Sequence, residues 1–455
     1  MSMLARARRA AVGIAALTCA LTAPLAASAA PRAVALVGDP APGTGGGTYS
    51  FFPETPVSIN SAGEVAFAAS IAGGTTTSGL FVASSATSAA VAVAGQVAPG
   101  TGGGTYAILE HADINDAGQV AFTSTISGGT TTAGVFLDDG GLHTAVAVAG
   151  DTAPGAGGGT FVAFTGPVVN ESGEVAFFAT VTGGTKSSGI FLATTGGLVP
   201  IVFVGDTAPV VGGTVSLLGR PAVNDGGSVA YQAVLFDGMA NSTAMFVGSG
   251  GTPSLVAAPG DVPSGAGGLA YFAFASTRPS IDASGDVAFM ATLGATGSID
   301  AIVVDAAGAT GTAIALEGDP HPSPGGGTFF SLNSKPVLAA SGDVAFGATS
   351  TSGNPFSGLF LADGTGVAAV ALRGDPAPDT GGGTFGSFDN SPALSDAGDV
   401  AFASSIASGT ASFGVFALPE PGAAGAGAAL ATLAALARGR RARAARRSAR
   451  NGRTS

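Results

Sequence analysis

Ile59-Asn60-Ser61-Ala62-Gly63-Glu64-Val65-Ala66-Phe67 decides the fold, because the chain repeats its Asn-x-x-Gly-x-x-x-Phe pattern seven times. The glycines of the copies are Gly63, Gly118, Gly173, Gly227, Gly285, Gly342 and Gly398, spaced 54 to 58 residues apart. A fixed period of that size marks an array or ring of similar supersecondary units, none of which can bury its apolar face alone.

Working outward, Val57-Ser58-Ile59 reads as a short strand and residues 60–63 as a turn. Val65-Ala66-Phe67-Ala68, Gly79-Leu80-Phe81-Val82 and Ala90-Val91-Ala92-Val93 read as three more strands. Four short strands per unit fit a propeller blade. The Asn side chain can cap the turn, and the Gly supplies its positive φ. Asp282 and Ser395 can replace that Asn; Ala339 cannot, so the sixth hairpin is expected to be the weakest capped. The second strand reads Val-Ala-Phe in six units and Val229-Ala230-Tyr231 in the fourth. Alternation puts Val65 and Phe67 on one face and Ala66 on the other. Neither face is polar, so both are expected to be covered, large side chains of one blade against the alanine face of its neighbour.

The fourth-strand pattern also occurs ahead of the first unit, as Ala33-Val34-Ala35-Leu36-Val37. The last unit ends at Gly414-Val415-Phe416-Ala417 and lacks one. The expectation is an all-β, seven-bladed β-propeller over residues 31–417, closed by the N-terminal strand. An open β-solenoid, with both ends needing caps, is the alternative.

The two ends read differently. Residues 1–30 carry Arg6, Arg8 and Arg9, an Ala/Leu-rich stretch and Ala27-Ser28-Ala29, the layout of a secretory signal peptide. The only cysteine, Cys19, lies inside it, and Ala16-Leu17-Thr18 is a poor lipoprotein match. Cleavage would leave no cysteine for disulfides or thiolate metal sites. Residues 418–455 hold Pro419-Glu420-Pro421, a weakly apolar Ala/Gly/Leu stretch over 422–437 and eight arginines from Arg438 to Arg453. Such a short helix is marginal for a bilayer core of ~30 Å, and its arginines would stay cytoplasmic. In that order of parts the tail resembles the PEP-CTERM sorting signal of Gram-negative bacteria. The resemblance implies processing by an exosortase-type protease, with the body exported and initially anchored in the inner membrane. A plain stop-transfer helix or a basic tail on nucleic acid is the alternative.

With 75 Gly but 46% hydrophobic residues and 27 Phe, the chain can build a core, which argues against disorder. The whole chain carries −12, whereas the body alone keeps 28 acidic and 6 basic residues. So acidic a surface repels nucleic acid and anionic membrane.

No phosphate loop, zinc spacing or nucleophile elbow stands out. The Gly-Gly-Gly-Thr runs from Gly45 and Gly102 recur with the repeat and read as connectors. Asp39, Asp151, Asp206, Asp261, Asp319 and Asp375 recur after a Gly, with Gln96 in the second copy. They read as turn caps; a repeated calcium site is the alternative, and no other cofactor is expected. The histidines are His111, His143 and His321.

One position breaks the bland pattern. Just before the first strand, aligned copies give Thr55, His111, Gly166, Arg220, Arg278, Lys335 and Ser391. Arg220, Arg278 and Lys335, with His111 across the opening, are expected at one mouth of the central channel, where they could bind a carboxylate or acidic sugar. Pairing of each cation with a neighbouring acid is the plainer reading.

Residues 33–417 also resemble the choice-of-anchor tandem-repeat family, through full motifs at Asn60/Gly63/Phe67, Asn115/Gly118/Phe122 and Asn170/Gly173/Phe177, with departures at Tyr231, Asp282, Ala339 and Ser395. The resemblance implies repeats joined to surface-anchoring signals and supplies no catalytic residues. The function expected is a non-enzymatic, surface-displayed module for matrix or envelope glycans. The alternative is a propeller lyase or hydrolase acting on polysaccharide, with His111 and Glu110 or Asp113 as acid and base.

Overall fold

The computed structural model describes residues 30–419, apart from 54–55, 86, 307–309, 323–325, 333, 351–355 and 390. The expected signal peptide, Glu420 and Pro421 of the sorting motif, the apolar stretch, the arginine cluster and Thr55 lie outside the described residues. Among the described residues no helix is long and apolar enough to cross a membrane.

Every regular element described is a strand, and the strands form seven separate antiparallel sheets. Blade two shows the pattern whole: Thr105–Ile114, Val120–Ser127, Ala133–Asp139 and Leu142–Val148 pair in chain order. Innermost strands from all seven blades line one axial cavity, so the sheets form a ring. The N-terminal strand Arg32–Leu36 pairs antiparallel with Phe413–Leu418 and completes blade seven. The protein is a seven-bladed β-propeller closed by its N-terminal strand, and the solenoid alternative falls.

The innermost strand is longer than the sequence suggests. In blade one, Thr48–Phe51 and Ser58–Ile59 both pair with Val65–Ala72, and in blades two and three the two parts join into Thr105–Ile114 and Thr160–Val169. The early half hides because its register shifts between Tyr49 and Phe51. A bulge breaks the period of two: Tyr49 and Phe52 are both buried while Phe51 between them is exposed.

Seven hydrophobic clusters hold the ring, one at each seam. Ala66, Ala68 and Ala92 of blade one meet Tyr106, Phe122 and Phe136 of blade two. Ala393, Ala401 and Ala403 of blade seven meet Tyr49, Phe67 and Phe81 of blade one. Each aromatic trio has nearly the same geometry: Tyr106 stands edge-on to Phe136 at 5.0 Å and 85°, while Phe122 stacks on Phe136 at 5.6 Å. Tyr49 with Phe81 and Phe385 with Phe416 repeat the edge contact at 5.0 and 4.9 Å. The covered two-faced blade read from the sequence is what forms.

The motif Asn does more than cap its turn. Asn60 Oδ1 accepts from the amides of Ala62 and Glu64 at 3.1 and 3.0 Å, which is the expected cap. Its Nδ2 donates to Asn115 O in the next blade at 3.1 Å. Asn115 donates to Asn170 O, Asn170 to Asn224 O and Asn224 to Asp282 O, each at 2.9 Å. The ladder stops there, because Asp282, Ala339 and Ser395 have no amide to donate. At the seam between blades seven and one, Arg32 reaches across instead and donates to Gly63 O at 2.8 Å. Ala339 caps nothing with its side chain, as expected; its hairpin keeps only the backbone turn and Ser341.

The glycine-rich connectors are packed rather than loose. A Cβ on Gly47 would collide with Ile71, and one on Gly74 with the carbonyl of Thr44. These glycines let the connector lie against the hairpin between the second and third strands, where the Thr75 amide donates to Thr44 O at 2.7 Å.

Phe67→Ala removes a side chain that is 1% exposed and is expected to cost about 3–5 kcal/mol in chemical denaturation. Asn115→Asp keeps the turn cap but loses the donor to Asn170 O in blade three, which then keeps the Gly173 amide alone; the lost bond sets its cost at about 0.5–1.5 kcal/mol in chemical denaturation, against nearly none for the same change on a solvent-facing Asn.

Candidate functional site

The inner strand runs antiparallel to the second, so its two ends define opposite faces of the ring. Ile59, beside the Asn hairpin, pairs with Val65, whereas Thr48 pairs with Ala72. Arg220, Arg278 and Lys335 lie between these ends, where the inner strand breaks. Arg278 falls between Tyr271–Phe274 and Ser280–Ile281, and Arg220 between Thr214–Leu218 and Ala222–Val223. The expected position at a channel mouth is thus corrected to the channel's waist, because the inner strand begins earlier than the sequence indicates.

The axial cavity has a volume of about 210 Å³, and Asp113, Arg278 and Lys335 stand in its wall. A smaller recess shares these three residues and adds His111. Arg220 arrives by another route: its stem lies over Gly166, whose absent Cβ would sit 3.0 Å from Arg220 Cδ. Gly166 has φ +60°, and His111 occupies the equivalent left-handed position at +55°. The four residues singled out from the sequence therefore converge.

Their partners were not legible. Among the described residues no carboxylate forms an ion pair with Arg220, Arg278 or Lys335. Asp113 is engaged elsewhere, accepting the Ser58 hydroxyl at 3.0 Å and the Val169 amide at 2.9 Å, so that it braces blades one to three. Burial pushes the Lys335 ammonium down to about 7; Arg278 and Arg220 push the same way, and Asp113 and Asp389 oppose. Burial also lowers both guanidinium groups.

His111 joins the three cations as a different kind of group. Burial first, then the charges of Arg220 and Arg278, lower it to about 4, so at neutral pH it is an uncharged imidazole. Its Nδ1 lies 3.4 Å from Thr123 Oγ1 and 3.9 Å from Glu110 Oε2, too far from Glu110 for a proton-sharing hydrogen bond. Neither partner proposed for it as acid and base is engaged: Asp113 already holds two donors, and Glu110 stands off.

The sequence reading missed an acidic rim. The residues after the motif Asn are Ser61, Asp116, Glu171, Asp225, Ala283, Ala340 and Asp396, a series visible in the alignment of repeats. The four carboxylates line the axial cavity at its hairpin mouth. Each accepts the amide of the preceding blade: Ser61 to Asp116 at 2.6 Å, Asp116 to Glu171 at 3.0 Å, Glu171 to Asp225 at 3.0 Å and Ala340 to Asp396 at 2.8 Å. Burial chiefly, and then the other three charges, raises the Glu171 carboxyl.

The other candidates are structural. Asp39, Asp151, Asp206, Asp261, Asp319 and Asp375 each accept the amide three residues back at 2.8–3.0 Å. Gln96 does so at 3.3 Å. Among the described residues no three His, Cys, Asp or Glu side chains gather as a metal site. His143 is buried between Tyr106 OH at 3.0 Å, Val91 O at 2.9 Å and Asp138 at 3.2 Å, and His321 bonds Ser350 Oγ at 3.2 Å.

The chain belongs to the family of unknown function DUF7453, which matches residues 25–202 and again 184–424. No curated protein matches it. Among solved structures it is similar to a puromycin-hydrolysing peptidase of Mycobacterium tuberculosis, at 11% identity and TM-score 0.42. That likeness covers 84% of this chain and only 57% of the peptidase. It is also similar to a polysaccharide lyase, at 10% identity and TM-score 0.44 over 82% of this chain and 92% of the lyase. A protein of unknown function from Dyadobacter fermentans gives 12% and 0.35 over 86% and 99%. Such distant likenesses carry no argument about the site.

Lys335 titrates near 7 in the fold and at an ordinary 10.5 when unfolded, so between these values the unfolded chain binds the extra proton. Stability is expected to rise with pH across that window. Thermal melts from pH 6 to 10 test this: Lys335→Met should flatten the rise, and an unchanged profile would show that Lys335 is not perturbed.

Proposed function

We propose that the protein binds a carboxylate-bearing ligand of the acidic-glycan class in its central channel, with Arg220, Arg278 and Lys335 as recognition residues. One observation carries this reading: three of the body's few cations meet at the waist with no carboxylate paired to them among the described residues. Gathering like charges in a partly buried site opposes folding, and an anion would relieve that strain. The guanidinium groups can each grip a carboxylate through two parallel bonds, while Lys335 adds a point charge. The braced Asp113 and neutral His111 complete the wall beside Arg278 and Lys335.

In this reading the protein is exported, processed at its tail by an exosortase-type protease and displayed at the cell surface, where extracellular polysaccharide is the partner. The signal-peptide layout and the Pro-Glu-Pro tail support that placement.

A second reading is favoured by Lys335 itself. An amine titrating near 7 is a competent base at neutral pH, and an adjacent arginine could neutralise a uronate carboxylate. Lys335 Nζ would take the C5 proton, α to that carboxylate; the electron pair forms a C4=C5 double bond, the C4–O bond breaks, and the leaving oxygen takes a proton from water.

Calorimetric titration with galacturonate and glucuronate separates these readings. Binding should weaken as pH rises through about 7 and disappear in a folded Arg278→Gln/Lys335→Gln variant. Absence of binding, or binding indifferent to both changes, would sink the channel as a site. Appearance of an unsaturated uronate from a polymer, lost in Lys335→Gln, would establish the lyase.

A further inference from the structure

Blade four departs from the other six at one strictly equivalent position. One buried residue of each inner segment donates its amide to the carbonyl of the repeated turn Asp, or of Gln96, at 2.8–3.0 Å, and this bond fixes the alignment. The residue is aromatic in six blades, as Tyr49, Tyr106, Phe161, Tyr271, Phe329 and Phe385, but Val215 in blade four. Five of those rings stand edge-on to the third-strand Phe of their own blade, at 4.9–5.1 Å and 84–87°. Phe246 of blade four keeps only the stack with Tyr231, at 5.8 Å. Where the ring is missing, a recess of about 300 Å³ opens between blades three and four. Buried Val215, Tyr231, Phe246 and Ile201 wall it, and exposed Thr207 and Thr252 stand at its rim. Two further departures fall in the same blade. Tyr231 replaces the Phe of the other six second strands, and Gly248 pairs with Val229 where blade one pairs Ala83 with Val65. A Cβ on Gly248 would lie 3.8 Å from Tyr231 Cε1, so the glycine keeps side-chain atoms away from the hydroxyl end of that ring. Tyr231 is 1% exposed, and among the described residues its hydroxyl has no hydrogen-bond partner. A hydroxyl buried in that way needs a partner from outside the chain.

We infer that this recess is a second binding site, for a small neutral aromatic ligand carrying an oxygen acceptor. The ligand ring takes the place of the side chain that Val215 lacks and presents its edge to Phe246, while its oxygen accepts from Tyr231 Oη. The other blades supply the reason for a ring: the same space is filled by an aromatic side chain in each of them, and edge-on contacts add to plain apolar burial. Size agrees, since an apolar cavity of roughly 150 Å³ already takes benzene. The larger recess leaves room for a substituent that meets the hydroxyls of Thr207 and Thr252 at the rim. Charge selects a neutral ligand. Asp206 also faces the recess, but its carboxylate is held by Lys186 Nζ and accepts the Phe203 amide at 2.8 Å. Neither an acid nor an amine therefore finds a free counter-charge there. The site is separate from the axial channel and does not depend on the acidic-glycan reading.

Ligand-observed NMR and thermal melts of the full chain with phenol, benzene and cyclohexanol test this. Phenol should bind and raise the melting temperature, benzene should bind several-fold more weakly, and cyclohexanol at least about tenfold more weakly. Tyr231→Phe restores the residue that the other six blades carry and should leave phenol no better than benzene. Val215→Phe supplies the missing ring; it should raise the melting temperature without ligand and abolish phenol binding. If Val215→Phe instead lowers the melting temperature, Tyr231→Phe, which removes a single oxygen, still decides. No binding of either ring compound, phenol binding that survives Val215→Phe, or a preference for phenol over benzene that survives Tyr231→Phe would overturn the site. So would cyclohexanol binding as tightly as phenol, which would make the recess a plain apolar void. A tyrosine-bearing peptide that binds at least about tenfold tighter than phenol would give the recess to a protein partner and overturn the free-ligand assignment.

Discussion

A blade whose two faces are both apolar cannot persist alone, and this is the constraint on which the rest of the structure depends. The aromatic face, such as Tyr106 with Phe122 and Phe136, needs the shallow face that Ala66, Ala68 and Ala92 provide on the blade before it. Blade one must be covered by blade seven in the same way, so an open row would leave one aromatic and one alanine face wet. Closure removes both. The N-terminal strand then completes the outer edge of the last sheet, and the structure has no seam without a packed core.

The waist of the channel follows from how the inner strand copes with its position. Seven strands converge on the axis, and each relieves the crowding by a bulge or a break in mid-course. Residues at that irregularity are released from the face-to-face packing and can point where the repeat otherwise allows nothing. That is where Arg220, Arg278 and Lys335 stand, and where Gly166 gives up its side chain so that the Arg220 stem can cross. The same irregularity turns Phe51 outward. Axial function is thus possible because the repeat is imperfect at one place while it is strict in the Val-Ala-Phe strand.

The sequence made the blade legible because its signals are local. Asn and Gly mark the hairpin, alternation marks the second strand, and a fourth-strand pattern at the wrong end marks closure. The cation column was legible too, since a basic residue is rare in this body. What escaped depends on neighbours a repeat away. The second hydrogen bond of Asn60, to Asn115 O, cannot be guessed from a turn that its Oδ1 already explains. The acidic rim was present as an aligned series, but its four carboxylates become one feature only when the ring brings them together. The protonation state of His111 could not be read from its own repeat either, since the guanidinium charges that help burial keep it neutral belong to blades four and five.

The closing strand has a mechanical meaning as well. Phe413–Leu418 lies inside its sheet, held by Val400–Ala407 on one side and by Arg32–Leu36 on the other. Tension applied along the chain end that follows it would have to shear two antiparallel ladders at once, since the first residues of the protein lock the last strand in place. An edge strand under the same load would peel away one hydrogen bond at a time. Exchanging the order of synthesis for the order of the sheet therefore makes the last strand resist pulling, with the weakest point displaced from it to the Arg32–Leu36 strand at the sheet's edge.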